Sequence, residues 1–114
     1  MTKQEVDAFV EHVKAQMMAS DEFKEYWPRV EKLLADCQRL QFDIANVVLC
    51  AMEQGQEKVV NVLDLLEAHY SEHLNYQHPD IRGCVYDRLL GVNKTHVLFI
   101  KICTEVLGLQ PNPA

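Results

Sequence analysis

An all-α fold is what this sequence predicts, and three observations predict it. Apolar residues recur at three- and four-residue spacings along most of the chain, caps and glycines punctuate those runs, and no segment keeps the two-residue alternation of a strand. The expected architecture is a bundle of four main helices, at about 3–19, 28–53, 56–75 and 93–107, with short helices at about 21–26 and 79–90. A single domain over 1–108 accounts for these elements, and residues 109–114, with two prolines, form an expected frayed tail.

The first helix opens on a capping box, Thr2 with Glu5, and carries Val6, Phe9, Val10, Val13 and Met17 on one face. Ser20 and Asp21 suit the cap of a short turn bearing Phe23 and Tyr26, after which Pro28 restricts Trp27 and bends the chain. From Pro28 the pattern reads as one helix to Glu53. Its core face holds Val30, Leu33, Leu34, Cys37, Leu40, Ile44, Val47, Val48, Ala51 and Met52 within one broad sector.

That helix carries a second apolar stripe on the opposite flank, where Ala35, Phe42 and Leu49 repeat every seven residues and Ala45 lies beside them. A helix of this length spans about 39 Å and crosses the whole domain. The second stripe needs cover, from other helices of the same chain or from a partner surface, most simply the same helix of a second copy. Ala35, Phe42, Ala45 and Leu49 are therefore the candidate partner-binding residues. Trp27 and Tyr26 join them as aromatic anchors at the bend.

Gly55 closes this helix, and a tight connection makes it an antiparallel hairpin with the next, whose face holds Val59, Leu63, Leu66, Tyr70 and Leu74. Asn75 to Asp80 is the clearest break in the chain, and Pro79 suits the start of a short helix with Ile81, Cys84, Val85 and Leu89. Asn93 caps a final helix, apolar nearly all round from Val97 to Leu107, which is expected at the centre and ends at Gly108.

Charge narrows the function classes. The net charge is −6, and residues 1–78 hold seven Lys and Arg against fourteen Asp and Glu, with no basic cluster anywhere. Such a balance repels a phosphate backbone and argues against nucleic-acid binding. The last helix also fails as a groove-reading helix, because Val97 to Ile100 are consecutive apolar residues. Cys37, Cys50, Cys84 and Cys103 lack a C-x-x-C pair and sit mostly on apolar helix faces, which predicts reduced thiols. The polar N-terminal residues and the absence of a long apolar run predict a cytoplasmic protein with no membrane partner.

Chemistry-bearing motifs are few. No cysteine or serine stands at a recognisable spacing from a histidine, no glycine-rich phosphate loop occurs, and pairs such as Glu22 and Glu25 belong to a polar segment. The expectation is a non-enzymatic chain without a cofactor. One alternative rests on His69 and His73, four apart on one helix, with Glu72, His78 and Asp80 nearby in sequence and His96 on the last helix. This set resembles hemerythrin over residues 69–99, and the resemblance implies a four-helix bundle with histidine and carboxylate iron ligands. A second histidine pair and the Glu-x-x-His element of ferritin-like sites are both missing.

In charge, size and helical character the chain resembles small acidic antagonists such as bacterial immunity proteins and anti-activators of transcription factors. That resemblance implies binding and occlusion of a partner, a toxin or a transcription regulator. The preferred reading is a regulatory interaction protein that self-associates as a homodimer through the second stripe.

Overall fold

The computed structural model describes residues 2–37, 40–69 and 94–109, and the side chains of 94–97 are not among those described. Every regular element in this set is helical: α1 (Lys3–Met18), α2 (Trp27–Asp36), α3 (Gln41–Gln54), α4 (Gln56–Ala68) and α5 (Lys94–Lys101). A 3-10 turn, Lys24–Tyr26, leads into α2, and a π turn, Ile102–Val106, extends α5. The protein is an all-α helical bundle, and no helix among the described residues is long and apolar enough to cross a membrane.

The start of α1 forms by local chemistry. Thr2 Oγ1 accepts from the Glu5 backbone N–H at 3.2 Å, and Glu5 Oε1 accepts from the Thr2 N–H at 3.3 Å, so the box closes from both sides. Val13 and Met17 are buried, with Phe9 and Val10 packed at the edge of the core. In α2 the buried residues are Trp27, Val30, Leu33 and Leu34, with Pro28 in the first turn where no backbone donor is lost.

The segment expected as one helix from Pro28 to Glu53 is two helices. Cys37 (φ −118°, ψ 59°) and Leu40 (φ −113°, ψ 15°) leave helical geometry between Asp36 and Gln41. The side chain of Gln41 reaches back and donates to the Leu34 carbonyl at 3.0 Å, tying the start of α3 to the last turns of α2. The core face survives the interruption: Val30, Leu33, Leu34, Cys37, Ile44, Val47, Val48 and Ala51 are buried, and Leu40 and Met52 pack against them. A bend therefore lets both halves bury their apolar faces in one compact core.

Between α3 and α4 the connection is Gly55 alone. Its φ of 119° with ψ of 173° lies where side chains are strained, so glycine is required by backbone geometry. Val59, Val62, Leu63 and Leu66 of α4 are buried against α3. The expected run of this helix to residue 75, including Tyr70 and Leu74, lies outside the described residues, as do the short helix at 79–90 and the tail from 110.

Among the described residues α3 is the most enclosed helix. Of its fourteen residues only Asp43, Glu53 and Gln54 are exposed, and α1, α2 and α4 all pack on it. Among the described side chains of the last helix and the turn that follows, Leu98, Ile102 and Leu107 are buried while Ile100 is 46% exposed.

Gly55→Ala tests the corner. A Cβ there meets nothing within 4 Å, so the cost is purely conformational. Chemical denaturation is expected to show a loss of about 1–3 kcal/mol with an unchanged m-value.

Candidate protein-binding face

The four stripe residues separate in space. Ala35 is exposed near the end of α2, and the break after Asp36 interrupts the seven-residue line that joined it to Phe42 and Leu49. Ala45 is wholly buried, Leu49 is half-buried at the edge of the core, and Phe42 is half-buried. What remains of the stripe is a seam on one flank of α3.

Much of that seam is covered from within by α1. The Phe42 ring lies 5.1 Å from the Phe9 ring, centroid to centroid, tilted by 43°, an edge-biased pairing favoured by ring quadrupoles. Phe9 is itself half-buried and stands 6.5 Å from His12, which shares a 2.9 Å hydrogen bond with Gln16 on the solvent side. The signal for this pairing was present in α1, where Phe9 lies at the margin of the Val13 and Met17 face. Which helix it would meet depends on tertiary packing alone.

Trp27 and Tyr26 are structural ties at the bend. Trp27 is only 7% exposed, its Nε1 donates to Glu31 at 3.2 Å, and the Lys14 ammonium sits 5.8 Å from the ring centroid. Tyr26 is half-buried, and its hydroxyl accepts from Gln56 Nε2 at 2.5 Å, joining the start of α2 to the start of α4.

A second tie between α2 and α4 was not read from the sequence. Arg29 donates to both oxygens of Glu67, at 3.1 and 2.5 Å, and to Asp64 at 2.9 Å. The Glu67 hydrogen bonds, aided by Asp64 and opposed by burial, hold the guanidinium firmly charged. Asp64 and Glu67 are three apart on α4 and so present one carboxylate fork to Arg29. Beside it an open groove is lined by Lys32, Leu33 and Asp36. Held by two carboxylates of α4, Arg29 works as a clamp between helices.

Of the histidines proposed as metal ligands, His69 is half-buried just after α4 and His96 lies within α5. His73 and His78 lie outside the described residues. Among the described residues no group of three or more His, Cys, Asp and Glu is arranged to hold a metal ion. Cys37, Cys50 and Cys103 carry free thiols, and burial pushes each above its ordinary range.

In comparisons with family models, curated proteins and solved structures, none matches this chain.

Cys37 ties the α2–α3 break to pH. It is 2% exposed, and burial, with a smaller push from Asp36, raises its thiol from about 9 to about 11. A raised value keeps the neutral thiol in the folded state, so its contribution is complete below about pH 9 and is lost as pH climbs through about 11. Thermal melts across this window are expected to show an alkaline loss of order 2 kcal/mol that Cys37→Ala removes.

Proposed function

We propose that this chain is a non-enzymatic, cytoplasmic interaction protein, a small regulator or antagonist that docks a helical face on a partner protein and occludes it. The observation that carries the reading is the α1–α3 seam. Phe9 and Phe42 pack together there yet both keep part of their surface in water, with Leu49 half-buried on the same helix flank as Phe42. Partly open aromatic and leucine side chains beside a packed core are suitable apolar anchors, because little ordering is needed when a partner covers them.

A second copy is the simplest occupant, and the proposal takes self-association through this seam as its first form. Two chains of charge −6 repel one another, so such a dimer tightens as salt screens the repulsion. Occlusion of a foreign partner uses the same anchors, with the acidic surface favouring a partner whose apolar patch is ringed by Lys and Arg.

Sedimentation velocity at tens of micromolar is the test. The native chain is expected to dimerise, more tightly at higher salt, and Phe42→Glu and Leu49→Glu each to weaken association about tenfold or more while circular dichroism stays helical. A native chain that stays monomeric, and that crosslinks to no cellular protein through a photoreactive residue at position 49, overturns the reading.

A further inference from the structure

We draw no further inference here: the strongest candidate, the open groove between α2 and α4 lined by Lys32, Leu33 and Asp36 beside the Arg29 clamp, carries nothing, because its Glu67 carboxylate is already bound to Arg29 and nothing in the structure shows what would occupy the rest.

Discussion

The arrangement of the bundle depends on the burial of α3. This helix is apolar on more than one side, with Ile44, Ala45, Val47, Val48 and Ala51 all buried, and no single neighbour can cover that much of its circumference. Each such side chain removed from water contributes roughly 25 cal/mol per Å2 of apolar surface, which favours covering α3 from several directions. The other helices take their places accordingly. α4 returns along α3 by way of Gly55, α2 folds back across α4, and α1 lies over the Phe42 flank.

Polar contacts then set the angles at which these helices meet. The Arg29 fork with Asp64 and Glu67 fixes α2 against α4, and the Tyr26–Gln56 hydrogen bond holds the same two helices at their first turns. Each pair is partly solvated and modest in energy. Together they select one relative rotation of α2 on α4, which non-directional apolar packing does not do.

Legibility in the sequence followed the range of the physics. Periodicity and caps are local, so the class, the α1 capping box, the Gly55 corner and nearly every core residue of α2 and α3 were readable from spacing. The break after Asp36 was not, because no proline or glycine marks it and the residues on both sides favour helix. Tertiary burial favours the bend, and the Gln41 side chain ties the two helices across it. The candidate face was readable only in part for the same reason. Phe42 and Leu49 were identified as surplus apolar surface, but the Phe9 ring that meets Phe42 comes from over thirty positions earlier, and nothing in either helix names the other.

The one-residue link at Gly55 also bears on the order in which the bundle assembles. Contacts between α3 and α4 join residues close in sequence, so the loop entropy spent in forming them is small, and a chain with such a hairpin holds its most buried helix half-covered early. Docking of the last helix requires closure across more than forty residues, from Gln54 and Lys58 to Val106 and Leu107. Closing that longer loop costs more chain entropy than closing the hairpin, so the C-terminal turn depends on a corner that the α3–α4 pair builds from nearby residues.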